Sequence, residues 1–273
     1  MTSSDKQNTE QSSKASKSKG QKQDVPKASA LPLFYKNPEP LEAKKHAGLS
    51  VRKNFGFGFT YEVNAVPINL VEMVQIAQFY PIAFSPDGHA TPVAILGLRN
   101  NENLFVDANG KWEETAYYKP AYIRRYPFIF SEMPDRDQLT LCVDNVEDVI
   151  EKSKAQPFFN EDDSISEFSK SALEFCKAYH FAAQETVEFS KALVESGVLI
   201  DREAQIRLPG DKLVNFSGFK IVSAAKLAEL DDKIFLEWRK KDWLRHVYAH
   251  LFSGVQWNRL TALLNARLEK EAA

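Results

Sequence analysis

The stretch SISEFSKSALEFCKAYHFAAQETVEFSKALVESG, residues 164–197, decides the fold class. Ile165, Phe168, Ala172, Phe175, Tyr179, Ala183, Val187 and Val194 recur at spacings of three, four or seven, the repeat of one helical face. Gly197 follows as a stop signal, because glycine takes the left-handed conformation that closes a helix at little cost. The spacing predicts a long helix from Ser164 to Glu195. What precedes it has a different period, so the chain changes character near residue 150.

Upstream the signals are those of strands and turns. Order is expected to begin near Leu31-Pro-Leu-Phe-Tyr, and Phe55, Phe57 and Phe59 alternate with Gly56 and Gly58 in the period of a strand. Asn69 is placed to cap a helix carrying Met73, Val74, Ala77 and Tyr80, which Pro81 ends. Pro92 to Leu98 reads as a strand, residues 100–103 as a turn, and Leu104 to Asp107 as the returning partner, with Asn109-Gly110 as the next tight turn. Tyr126 to Phe130 and Leu139 to Val143 complete an antiparallel sheet. Downstream of the long helix, Leu213 to Val222 reads as a strand after a Pro209-Gly210-Asp211 turn. Helical patterns then cover Ala224 to Leu230 and Lys233 to Leu268, with Gly254 as a break. The expectation is an α+β protein, with an antiparallel β-rich part at 30–150 and a mainly helical part at 151–273, side by side or joined in one compact unit. Residues 1–29 hold almost no large apolar side chain and cannot repay the entropy of ordering, so they read as a disordered polar leader.

Composition narrows the function classes. A net charge of −2 argues against a dedicated nucleic-acid binder, which would carry a basic excess. No apolar run approaches the roughly 20 residues of a membrane span, and the lysines near the start have no apolar core behind them. Cys142 and Cys176 sit in apolar patterns and read as buried thiols of a reducing compartment. The reading is a soluble cytoplasmic protein, the alternative being export to the cell surface without an N-terminal signal peptide.

Several constellations could carry chemistry. Asp242, His246 and His250 are four residues apart, but i and i+8 lie about 12 Å apart along a straight helix, too far to share one metal ion. Cys176 and His180 have the spacing of a nucleophile and its base, within a helix whose aromatic neighbours look like core. Asp107-x-Asn109-Gly110 resembles a calcium loop, yet Lys111 stands where another oxygen would be needed, and turn chemistry explains the same residues. No metal, cofactor or catalytic residue is assigned. The strongest lead is Tyr117, Tyr118, Tyr122, Arg124, Arg125 and Tyr126, which gather planar donors and ring faces into ten residues. Tyr118, Tyr122, Arg124, Arg125 and Tyr126 form the candidate binding set for a peptide, glycan or carboxylate. The alternative is that Arg124 and Arg125 pair with internal acids such as Asp107 or Glu113. His246 and His250 are a second, weaker candidate site, as general bases facing the arginines across a pocket.

These residues also carry a resemblance. Leu31-Pro-Leu-Phe-Tyr, His46-Ala-Gly-Leu, Asn64-Ala-Val-Pro, Tyr80-Pro-Ile, Val93-Ala-Ile-Leu-Gly-Leu, Glu102-Asn-Leu-Phe-Val-Asp, Pro120-Ala-Tyr-Ile-Arg-Arg-Tyr-Pro-Phe, Leu141-Cys-Val-Asp, Thr186-x-x-Phe189 and His250-Leu-x-Ser253 follow one another in order. Over Leu31 to Leu268 the chain resembles the SapC family of bacterial surface-layer-associated proteins. The resemblance implies an accessory or binding role near a surface layer, an outer-membrane uptake system or a surface polymer, with a protein, peptide or glycan partner at the cell envelope. An enzyme of peptide or glycan modification, and a structural surface-layer component, are the alternatives. It carries over no catalytic residue.

Overall fold

The computed structural model describes residues 31–132, 139–207 and 213–272. The expected leader at 1–29 and the Pro209-Gly210-Asp211 turn lie outside them. Among the described residues the strands are β1 (Pro38–Pro40), β2 (Leu49–Val51), β3 (Ala65–Pro67), β4 (Ile82–Phe84), β5 (Pro92–Ile95), β6 (Phe128–Glu132), β7 (Leu139–Asp144), β8 (Ile150–Lys152), β9 (Leu199–Arg207) and β10 (Leu213–Val222). The helices are α1 (Ala43–His46), α2 (Met73–Ile76), α3 (Ala121–Arg124), α4 (Glu167–Ser196), α5 (Ala224–Ala228), α6 (Asp232–Lys240), α7 (Leu244–Phe252) and α8 (Gln256–Ala272).

All strand pairs are antiparallel, in sheets ordered β1-β7-β6, β3-β5-β4-β10-β9 and β2-β8. The protein is thus α+β, with antiparallel sheet in the first half and helices toward the C-terminal end. The five-stranded sheet takes β3, β4 and β5 from the first half and β9 and β10 from the second. Leu33–Ala273 accordingly forms one compact unit.

The long helix is present as α4, about 45 Å long at 1.5 Å per residue. Ser166 caps it by accepting the Ser169 N–H, and Gly197 closes it at φ 70°. The buried stripe differs from the expected one, because Val187 and Val194 are exposed while Ser169, Cys176, Thr186, Phe189, Ser190 and Leu193 face inward. At Thr186 a polar side chain suits the inner face because backbone comes close there. The Thr186 hydroxyl accepts the Leu70 N–H at 2.8 Å and donates to the Ala182 carbonyl at 2.6 Å.

Other expectations are corrected. Residues 55–59 are no strand: Gly56 turns the chain at φ 67° and Phe57 N–H bonds the Gly110 carbonyl at 2.8 Å. The rings then converge, Phe59 stacking on Tyr126 at 4.2 Å and Phe57 meeting Trp112 at 5.5 Å. Leu104 to Asp107 touches β5's continuation through one bond, Leu104 N–H to the Leu96 carbonyl, and forms a bridge at Val106 and Trp112. The closing helical stretch is broken at Gly254 as expected, within the turn Ser253–Val255, and also at Asp242 (φ 59°), which the spacing does not predict. Asp107 Oδ1 accepts the Asn109 and Lys111 N–H groups, the turn chemistry expected of it.

Candidate functional site

The segment around the paired arginines is built on a buried carboxylate. Asn69 and Glu72 form a reciprocal capping box, in which Glu72 Oε1 accepts the Asn69 N–H at 3.1 Å. Its Oε2 accepts the Ala121 N–H at 2.8 Å and the Tyr118 hydroxyl at 3.0 Å. One side chain therefore ties the start of the α2 turn to the start of α3. Burial pushes the Glu72 carboxyl above the usual range, and its hydrogen bonds and the charge of Arg124 oppose that shift.

Arg124 leaves this anchor toward solvent. Its Nε donates to the Lys119 carbonyl at 3.0 Å and a terminal nitrogen donates to the Tyr118 hydroxyl at 3.2 Å. The guanidinium lies over the rings of Tyr118 and Phe175, 5.2 Å from each centroid. Arg125 points the other way, between the rings of Tyr122 at 4.3 Å and Tyr179 at 4.4 Å, with Tyr35 at 5.8 Å. Its Nε is buried without a hydrogen-bond partner. Among the described residues neither arginine pairs with a carboxylate. The expected pairing with Asp107 or Glu113 is not made, since Asp107 serves its own turn and Glu113 holds Thr115.

The tyrosines of the candidate set divide. Tyr118 is half-buried and Tyr117 is 65% exposed, but Tyr122 and Tyr126 are buried. The Tyr126 hydroxyl donates to Asp144 Oδ2 at 2.9 Å, while Asp144 Oδ1 accepts the Lys36 and Asn37 N–H groups at 2.9 and 2.6 Å. Tyr122 donates to the Leu33 carbonyl at 3.3 Å. Their rings therefore pack inside, and a surface running continuously from Tyr122 to Tyr126 does not exist. What reaches solvent is Tyr117, Tyr118, Arg124 and part of Arg125. Tyr35, Glu72, Phe175 and Tyr179 complete the cluster and were not singled out in the sequence. The spacing Asn69-x-x-Glu72 was a legible signal for one of them.

His246 and His250 do not face the arginines across a cleft. Both are buried on α7, His246 against Phe189 at 6.2 Å. His250 Nε2 accepts the Val222 N–H at 3.0 Å, which leaves Nδ1–H to donate to the Ile82 carbonyl at 2.9 Å. Ser253 completes the clamp, its Oγ accepting the Ile82 N–H at 2.9 Å. The register Lys220↔Phe84 would set Val222 opposite Ile82, so the imidazole bridges the two strands where their own ladder has stopped. Burial lowers the His250 pKa to about 4 and that of His246 below its ordinary value. The anchor His250-Leu-x-Ser253 is thus a strand clamp, and neither histidine lines any of four surface clefts. Cys176 is buried with its thiol pushed up to about 11, and His180 turns to Gln184 instead. Among the described residues no three His, Cys, Asp or Glu side chains converge on a metal position, and no helix is long and apolar enough to cross a membrane.

Fold and site together define an α+β protein whose paired arginines are held by aromatic rings above a buried carboxylate. The chain belongs to the SapC family, whose model matches residues 41–260. That span includes the capping box, the arginine segment and the His250–Ser253 clamp. No curated protein and no solved structure matches the chain.

Proposed function

We propose that this protein is a non-enzymatic binding or accessory protein. It holds an anionic group of an envelope-associated protein, peptide or glycan on the face formed by Tyr118, Arg124 and Arg125. Tyr122 and Tyr126 are the buried support of that face. The observation that carries the reading is the way the two arginines are held. Aromatic rings hold both guanidinium groups, and no described carboxylate pairs with either. An incoming carboxylate or phosphate would meet planar donors already oriented, with no internal ion pair to break. The surface-layer link of the family would make the partner a component of that layer, of an uptake system or of a surface polymer. The two buried free thiols favour a cytoplasmic protein that assists such a system over a subunit of the layer itself.

The test is affinity capture from an envelope extract of the producing cell, with the wild type, Arg124→Glu and Lys240→Glu as baits. Arg124 and Lys240 are both exposed, so charge reversal at either leaves the core intact. Capture lost in Arg124→Glu and kept in Lys240→Glu supports the face. Equal capture by all three baits, or none by the wild type, would sink it.

A further inference from the structure

A second surface of the molecule has a different chemistry. Strand β10 meets β4 only at Lys220 and Phe84, and its register shifts between Phe216 and Phe219, where Gly218 takes φ 82°. Before that bulge β10 pairs with β9 alone, since β4 ends at Phe84. The space left between them is a cleft of about 510 Å³. That lies within the roughly 300–1,000 Å³ of small-molecule sites.

Its polar wall includes Ser85, which bonds Asp87, and the four side chains Asn64, Asn100, Asn215 and Ser217; the half-buried Phe216 contributes ring surface, while the Phe84 ring is fully buried. None of these four polar side chains hydrogen-bonds another described residue. Among the described residues no Asp or Glu lines it, and the one cation that does, Arg99, is committed to Glu102, donating through Nε at 2.9 Å and through a terminal nitrogen. Arg267 stands behind Glu102 at 3.6 Å and bonds the Asn103 carbonyl at 2.9 Å, which fixes the turn carrying Asn100. That turn closes tightly: a Cβ on Gly97 would stand 1.8 Å from the Glu102 carbonyl oxygen and 3.3 Å from Asn64 Cβ. The backbone that carries Asn64 and Asn100 is therefore held in place before any ligand arrives.

A primary amide offers a donor pair and an acceptor together, and vicinal hydroxyls offer the same in return. Ring surface beside amides suits the C–H face of a pyranose, while a charged ligand would find no counter-charge. We propose that this cleft binds a neutral glycan through one or two pyranose units, held by Asn64, Asn100, Asn215 and Ser217. The site is separate from the arginine face and stands or falls without it.

The experiment is a titration of the full ¹⁵N-labelled chain with maltohexaose, cellohexaose, mannohexaose and chitohexaose, following asparagine side-chain amide resonances. The Asn100→Ala and Asn215→Ala spectra assign those resonances by their disappearance. Saturable shifts of the Asn100 and Asn215 amides with at least one of these sugars are expected. Asn215→Ala should weaken that binding about fivefold to tenfold, the loss of one hydrogen bond. Ser217→Trp, at an exposed position, should abolish it by filling the cleft. No saturable shift with any of the four at its solubility limit overturns the proposal. So do shifts confined to the arginine face, or undiminished affinity in both Asn215→Ala and Ser217→Trp.

Discussion

Replacing His250 tests the physical reading of the fold most sharply. The imidazole satisfies the Val222 N–H and the Ile82 carbonyl, both in residues 2% exposed. His250→Ala leaves both groups buried without partners, at about 1–3 kcal/mol each, and opens a gap beside Phe84. The expected loss is roughly 3–6 kcal/mol, a large share of the about 5–15 kcal/mol that holds a domain together. His250→Gln keeps one acceptor and one donor and should lose less. Protonation gives an independent handle. The folded-state pKa near 4 lies below the ordinary 6.5, so between these values the unfolded chain binds the extra proton. The stabilising contribution is complete above pH 6.5 and is lost as pH falls toward 4, by roughly 3 kcal/mol. Urea unfolding of the wild type and His250→Gln at a series of pH values between 4 and 7 measures this directly. The wild type should lose about 3 kcal/mol more than His250→Gln across that window. Parallel stability curves, or a His250→Ala variant within about 1 kcal/mol of wild type at pH 7, would refute the clamp.

Three further outcomes follow from the same contacts. Glu72→Ala removes the acceptor of the Asn69 and Ala121 N–H groups and the Tyr118 hydroxyl, and should cost about 2–4 kcal/mol in urea unfolding; a loss under about 1 kcal/mol would show that α3 is held by other means. Asp144→Ala releases the Lys36 and Asn37 amides, whose hydrogen exchange should quicken well beyond that of β7, and unchanged exchange there contradicts the anchor. Cys142 and Cys176 are buried with thiol pKa values raised, so neither should react with a maleimide at pH 7 until the protein is unfolded; rapid native labelling would contradict their burial.

The parts of the fold legible in the sequence are those set by local chemistry. Asn69 and Gly197 mark their helix ends because caps act within a few residues. Strand β9 escaped because Asp201, Arg202 and Glu203 give an exposed edge strand no apolar alternation. The α4 face differs from the expected one because Thr186 is buried where its hydroxyl takes the Leu70 N–H, an effect hydropathy spacing cannot register. Asp242 broke the closing helix through a left-handed conformation that its residue type permits but does not announce. At the candidate site the arginine pair was visible, but its partners were not. Phe175 and Tyr179 come from α4, some fifty residues downstream, and only tertiary packing lays them against Arg124 and Arg125. The same packing turned Tyr122 and Tyr126 inward.

The most direct test of the binding role is equilibrium titration of the captured partner against the wild type, Arg124→Glu and Arg125→Lys, at low and at high salt. The proposal predicts that Arg124→Glu weakens binding tenfold or more, about 1.4 kcal/mol, and flattens its salt dependence. Arg125→Lys should fall between, since it keeps the charge and loses the planar fork. Identical affinities and salt slopes for all three proteins would contradict the account.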